Sequence, residues 1–126
     1  MTSGHTARVR THLVVKVTAG ADAPERCGQG LTVASIAAAS GVTVSLWLTG
    51  EAVWLGVPEH EVELAHSPAL STLVAAVLEA GTVTVCSQCA VRRELTQDQL
   101  LDGVRLSGAA VFVSEVMDEN AQALVY

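Results

Sequence analysis

Two cysteines that stand three residues apart are the residues of this sequence best suited to chemistry. Cys86 ends the apolar run over 82–86, and Cys89 follows one helical turn later. The thiolate is the reactive form of cysteine, and neighbouring guanidinium groups lower the pKa of a thiol. Arg92 and Arg93 follow the pair, and we predict that they stabilise the thiolate. The spacing therefore predicts a reactive thiol at Cys86 and a second thiol at Cys89.

Other uses of these thiols stay open at this point. Free cysteine is among the most buried residue types, so Cys86 could be a small core residue. A structural zinc site needs four ligands, and His60, His66 and Cys27 are candidates to join the pair. A Cys-x-x-Cys pair between a strand and a helix is also typical of dithiol redox proteins.

The remaining candidates carry weaker signals. Glu51 follows a glycine turn and could hydrogen-bond a thiol or a partner, although most loop carboxylates are solvated. Gly28 and Gly30 lie inside a predicted helix without a third glycine, so they form no dinucleotide fingerprint. The sequence contains no Gly-x-Ser-x-Gly motif, Walker motif or paired carboxylates. We therefore expect no cofactor, and with a single Cys-x-x-Cys pair we expect no resident metal.

Alternating strand and helix patterns position these residues. Apolar β-branched runs predict strands, which fall at 12–19, 42–48, 82–86, 104–106 and 122–126. Helical spacing of apolar residues lies between them, over 22–40, 67–80, 96–101 and 109–118. The pattern predicts one α/β domain over residues 12–126, preceded by a flexible tail at 1–11. Its fold class is a three-layer α/β/α sandwich with a mainly parallel sheet of about five strands.

Capping residues set the predicted helix ends. Asp22 and Ser67 are the predicted N-caps of the two longer helices, and Gly41 is the predicted C-terminal stop of the first. Thr96 and Gln99 have the spacing of a capping box. Ligand sites of parallel sheets lie outside the carboxyl ends of the strands, so this fold would place the end of the third strand at such an edge.

Composition excludes several classes of partner. Lys and Arg total 7 against 13 Asp and Glu, so the net charge is −6. This balance provides no basic surface for nucleic acid or an anionic membrane, and we predict neither partner. Charged residues make up only 16% of the chain. Together with Trp47 and Trp54, this low fraction predicts an apolar face covered by another subunit, with residues 50–66 near the boundary.

The chain shows no targeting pattern. Its basic N-terminal residues are not followed by an apolar stretch of signal-peptide length, and no run is long enough to span a bilayer. Its 3 cysteines are an odd number, which favours reduced thiols over a disulfide framework. We therefore expect a cytoplasmic protein.

Several short motifs occur in the order that is found in a known family. They are Pro-Glu-Arg at 24–26, Gly-Val-Thr-Val-x-Leu-x-Leu at 41–48, the cysteine region at 85–90 and Leu-Leu-Asp-Gly-Val at 100–104. In this order the chain resembles the DsrE/DsrF-like sulfur-relay family, which includes the YchN and TusD types. The resemblance covers residues 12–126.

The resemblance implies a parallel sandwich that assembles into a homotrimer or hexamer. It also implies a carrier of sulfane sulfur as a cysteine persulfide, which takes sulfur from a donor protein and passes it to an acceptor protein. The family's functional cysteine follows the third strand and matches Cys86, whereas Cys89 is matched in some members only. Two alternatives stay open: a peroxiredoxin-like dithiol redox protein that uses both thiols, and a non-catalytic oligomeric binding or regulatory subunit. Whether the protein acts as an enzyme, a sulfurtransferase, also stays open.

Overall fold

One parallel sheet forms the centre of the computed structural model, which describes residues 10–126. The strands are β1 (His12–Val17), β2 (Thr43–Leu48), β3 (Thr82–Cys86), β4 (Arg105–Ser107) and β5 (Ala121–Val125). They lie in the order β4-β3-β2-β1-β5, and every pairing is parallel. The predicted parallel sheet of five strands is confirmed. The predicted tail at 1–11 lies outside the described residues except for its last two.

Helices cover both faces of the sheet. They are α1 (Pro24–Ala39), α2 (Leu70–Ala80), α3 (Ser87–Arg92) and α4 (Ala109–Val116), with 3₁₀ turns at Gly50–Gly56 and Gln97–Gln99. The chain steps from β1 to β4 in one direction, so right-handed crossovers place α1 and α2 on the same face. The step from β4 back to β5 runs the opposite way and places α4 on the other face.

The two faces of the sheet differ in chemistry. The buried part of the face under α1 and α2 is apolar, with the fully buried side chains of Val15, Val17, Leu46, Leu48, Val83 and Val85. The strand period of two sends the intervening residues to the face of α4. These are polar or mixed: Lys16, Ser45, Trp47, Thr84 and Cys86. The candidate thiol therefore lies on the polar face, away from the main core.

A polar network attaches α4 to the sheet. The rings of Trp47 and Phe112 meet edge to face, with centroids 5.4 Å apart. The Glu115 carboxylate accepts hydrogen bonds from Ser45 Oγ at 2.5 Å and from Trp47 Nε1 at 3.0 Å. Arg105 of β4 forms an ion pair with the same carboxylate at 2.8 Å. One glutamate thus joins the helix to two strands.

Glu115 makes stability depend on pH in the acid range. Partial burial raises the pKa of this carboxyl, but hydrogen bonds from Ser45 and Trp47 and the Arg105 guanidinium hold it below the ordinary value of 4.5. A lowered folded pKa stabilises the protein above the ordinary pKa, and this contribution is lost as pH falls through the folded pKa.

Glu115→Gln is therefore expected to lower the free energy of unfolding at neutral pH by about 1–3 kcal/mol. Urea unfolding at decreasing pH should show this difference shrinking as the wild-type carboxyl becomes protonated. Glu79→Gln, at an exposed position of α2, should change the free energy little at any pH. If the difference in unfolding free energy between wild type and Glu115→Gln stayed constant down to acid pH, it would contradict this account.

The start of α1 differs from the prediction. Ala23 is the N-cap, and no side chain caps the helix. Asp22 instead accepts the Gly20 N–H at 2.8 Å and closes the turn that follows β1. The end is as predicted, because Gly41 has a φ of 86°, and the N–H groups of Gly41 and Val42 bond back to the last helical turn.

The start of α2 differs from the prediction as well, and here a residue from a preceding loop is involved. Ser67 was the predicted cap, but the helix begins at Leu70. The Glu61 carboxylate accepts the Ser71 N–H at 3.0 Å, so a loop residue ten positions away satisfies the first turn. The capping box of Thr96 and Gln99 is confirmed, although it opens only a 3₁₀ turn.

Candidate functional site

Cys86 is the last residue of β3 and lies at the carboxyl edge of the sheet. It is paired with Ser107 at the end of β4. Because Val83 and Val85 are buried under α2, alternation sends Thr84 and Cys86 to the opposite face. The thiol is half-buried, so a rigid strand holds it at the edge while part of its surface stays accessible.

Cys89 lies beside Cys86 because α3 begins directly after the strand. The helix starts at Ser87, so Cys89 lies in its first turn, one helical turn after Cys86. The Gly50 N–H donates to Cys89 Sγ at 3.2 Å. Gly50 has a φ of 53°, and a Cβ there would lie 2.6 Å from the Thr18 carbonyl oxygen. A glycine is therefore needed where the turn after β2 reaches the second thiol.

The surroundings of Cys86 favour its thiolate. Partial burial raises the pKa of the thiol, but the N–H and S–H groups of Cys89, the N–H of Gln88 and the charge of Lys16 together lower it below the ordinary value of 9.0. In the described part of the chain, no side-chain hydrogen bond caps the N-terminus of α3. The amide groups of its first turn therefore act on the thiol as nearby dipoles. A larger fraction of Cys86 is thus reactive near neutral pH than in an ordinary cysteine.

The two arginines occupy different positions around the pair. Arg93 forms an ion pair with Glu51 at 2.8 Å and donates to the Cys89 carbonyl oxygen at 3.1 Å. It therefore ties α3 to the 3₁₀ turn that begins at Gly50. Arg92 is exposed and makes no ion pair with any residue of the described part of the chain. The role predicted for both arginines, stabilising the thiolate, stays a prediction.

Lys16 is a site residue that the sequence analysis missed. It lies on the same face of the sheet as Cys86, and its charge lowers the pKa of that thiol. The signal was present in the run Leu13–Val17, where one lysine interrupts an otherwise apolar strand. Its meaning depends on which strands lie beside β1, and this cannot be inferred from the pattern of β1 alone.

The third cysteine lies on the opposite face of the sheet from Cys86. Cys27 lies on α1 in the main core and is fully buried. Burial raises the pKa of this thiol to about 11, and the nearby charges of Asp22 and Glu61 add to the increase. Cys27 is therefore a packing residue with an unreactive thiol at neutral pH.

The two histidines considered as zinc ligands, His60 and His66, form no metal site with the cysteines in the described part of the chain. His60 stacks on the Trp54 ring with centroids 5.0 Å apart, and His66 is an exposed loop residue with a φ of 57°. Over residues 10–126, no three His, Cys, Asp or Glu side chains are grouped so that they could hold a metal ion. In the same range, none of the helices has the length and apolar character needed to cross a membrane.

Three solved structures share this fold at low sequence identity. The ychN protein from E. coli matches with a TM-score of 0.78 and 16% identity, over 92% of this chain and 99% of that chain. The MTH1491 protein of unknown function from Methanobacterium thermoautotrophicum matches with a TM-score of 0.68 and 15% identity, over 91% and 98% of the two chains. The BT1422 protein of unknown function from Bacteroides thetaiotaomicron matches with a TM-score of 0.59 and 14% identity, over 92% of this chain and 95% of that chain. No curated protein matches the chain.

A family comparison covers nearly all of the described chain. The model of the DsrE/DsrF-like family matches residues 12–124. This span runs from the first residue of β1 into β5 and includes Cys86 and Cys89. The resemblance inferred from the order of the motifs is confirmed, and this chain belongs to the DsrE/DsrF-like family.

Proposed function

We propose that this protein relays sulfur, with Cys86 as the carrier. Cys86 accepts a sulfane sulfur from a donor protein and passes it to the thiol of an acceptor protein. The observation that carries the proposal is the position of Cys86: a half-buried thiol of lowered pKa at the carboxyl edge of a DsrE/DsrF-like fold. A reducing compartment such as the cytoplasm suits this chemistry, because it keeps the thiols free.

Each transfer is an exchange between sulfur atoms. The Cys86 thiolate attacks the terminal sulfur of the donor persulfide, a new S–S bond forms on Cys86, and the donor leaves as a thiolate. An acceptor thiolate then attacks the terminal sulfur on Cys86, which returns to the thiolate. Both steps move one sulfur atom and leave the number of electrons unchanged, so no external oxidant is required.

Mass spectrometry of the intact protein tests the proposal. Incubation with a cysteine desulfurase and cysteine should add one sulfur atom per chain, and a reductant should remove it. Peptide mapping should place the added sulfur on Cys86. A folded protein that gained no sulfur would overturn the proposal and favour the non-catalytic binding or regulatory subunit.

The position of Cys89 in the helical turn directly after Cys86 favours a second candidate function, dithiol redox chemistry. After sulfur uptake, the Cys89 thiolate could attack the inner sulfur of the Cys86 persulfide, close a disulfide and expel hydrogen sulfide. In that reaction the two thiols supply the electrons that reduce the sulfane sulfur. The two candidate functions therefore differ in what Cys89 is needed for.

We also propose that the protein forms a homotrimer or hexamer. Several apolar side chains are exposed on α4, at its C-cap and on β5, namely Val111, Val113, Met117 and Val125. Together with the low charged fraction, they favour a surface that another subunit covers. Light scattering at micromolar concentration should give three or six times the chain mass of 13.1 kDa. A mass near that of one chain would contradict this, and residues 50–66 remain the predicted boundary region.

A further inference from the structure

Lys16 is a charged residue in a strand that has neighbours on both sides. β1 is flanked by β2 and β5, and its side chains at 14, 15 and 17 are buried. Lys16 itself is half-buried on the face covered by α4. Its ammonium group lies 5.0 Å from the centroid of the Phe112 ring. Placing a charge here costs desolvation, which a cation–π contact offsets only in part.

The ammonium group of Lys16 has no carboxylate partner in the described part of the chain. The ion pairs of residues 10–126 join Arg93 to Glu51 and Arg105 to Glu115. Each arginine near the carboxyl edge or on the α4 face thus has its own glutamate, apart from the exposed Arg92. Among residues 10–126, Lys16 is thus a half-buried positive charge with no carboxylate at ion-pair distance. Charges that are removed from water are usually paired with an opposite charge.

Register places Lys16 near Cys86. Lys16 pairs with Trp47, and Trp47 pairs with Thr84, which precedes Cys86 by two residues on the same face. Two strand spacings across the sheet and two residues along β3 put the backbones of Lys16 and Cys86 about 12 Å apart, and the long lysine side chain can cover part of this distance. The groups that act on the thiol are Cys89 on α3 and Lys16 on β1. The guanidinium of Arg105 lies at Thr84 and Glu115, and that of Arg93 at Glu51 and the Cys89 carbonyl oxygen.

We propose that Lys16 is the counter-charge of the Cys86 thiolate and of the persulfide anion that this residue carries during sulfur relay. The second half of this inference rests on the function proposed above. Lys16 acts through its charge rather than through a direct hydrogen bond, so any residue with a positive charge and a similar length should replace it. A neutral residue of the same length should not replace Lys16 in this role.

The pH dependence of Cys86 alkylation tests this inference without sulfur transfer. Iodoacetamide is uncharged, so its rate reports the thiolate fraction, and peptide mass spectrometry separates Cys86 from Cys89. Lys16→Met should move the midpoint to higher pH and slow the reaction at neutral pH about twofold to fivefold. At high pH, where the thiolate is complete, the rates of wild type and variant should converge. Lys16→Arg should keep the wild-type midpoint.

Arg26→Met is the matched control, because Arg26 is an exposed cation on α1, across the sheet from Cys86. It should leave the midpoint unchanged. If Lys16→Met does not fold, Lys16→Gln provides the same comparison with a polar end group. A neutral Lys16 variant with the wild-type midpoint would overturn the inference, even if the wild type accepts sulfur. A raised midpoint in a protein that accepts no sulfur would support Lys16 as counter-charge of the thiolate and reject the relay function.

Discussion

Cys86→Ser is expected to abolish sulfur loading, whereas Cys89→Ser should retain most of it. In a carrier, the sulfur rests on Cys86 and leaves by attack of a partner's thiolate, so the chemistry needs one thiol. Serine removes the sulfur nucleophile but keeps the size of the side chain. At position 89 it keeps a polar atom that can accept the Gly50 N–H, so the turn after β2 should stay in place.

The measurement is the sulfur content of each variant after incubation with a cysteine desulfurase and cysteine. Cys27→Ala is the matched control, since burial holds the Cys27 thiol in its neutral form with a pKa of about 11, and it should load like the wild type. Comparable loss in Cys86→Ser and Cys89→Ser would instead favour dithiol redox chemistry. A Cys86–Cys89 disulfide in wild-type protein held at a cytosolic redox potential would point the same way.

Trp47→Ala is expected to cause the largest loss of stability among single substitutions on the α4 face. Trp47 is 1% exposed, and its ring contacts Phe112 while its Nε1–H bonds to Glu115. Removing a buried tryptophan costs about 3–5 kcal/mol. That is a large part of the roughly 5–15 kcal/mol that stabilises a typical domain. Urea unfolding followed by circular dichroism should show a much lower midpoint or a protein unfolded without denaturant.

The second tryptophan provides a control for this prediction. Trp54 is half-buried and stacks on the exposed His60, so Trp54→Ala should cost only about 1–2 kcal/mol. Trp47→Phe keeps an aromatic ring but leaves Glu115 without one donor, and it should also cost about 1–2 kcal/mol. Equal losses for Trp47→Ala and Trp54→Ala would show that the network under α4 contributes little beyond the burial of one ring.

Local sequence patterns determined the elements of this protein and the position of Cys86. Apolar β-branched runs, each followed by a helical pattern, predict parallel strands, because a crossover returns the chain to the same end of the sheet. Within β3, the apolar run ends at Cys86, which places the thiol at the carboxyl edge. Gly41 also ended its helix as predicted, since a positive φ is a local requirement. α3 was missed because its six residues are too short to show a helical period.

Only the tertiary structure decided which residues that are distant in sequence meet, both at a helix end and around the thiol. The N-terminus of α2 is capped by Glu61 rather than by Ser67, because a carboxylate from a folded loop reaches the first turn. Arg93 pairs with Glu51, and both belong to segments that are distant in sequence. Lys16 and Cys86 share one face of the sheet at a separation of only two strands, because the strand order is β3-β2-β1. Strand order arises from the packing of helices on both faces of the whole sheet, and the pattern of a single strand does not specify which strands become its neighbours.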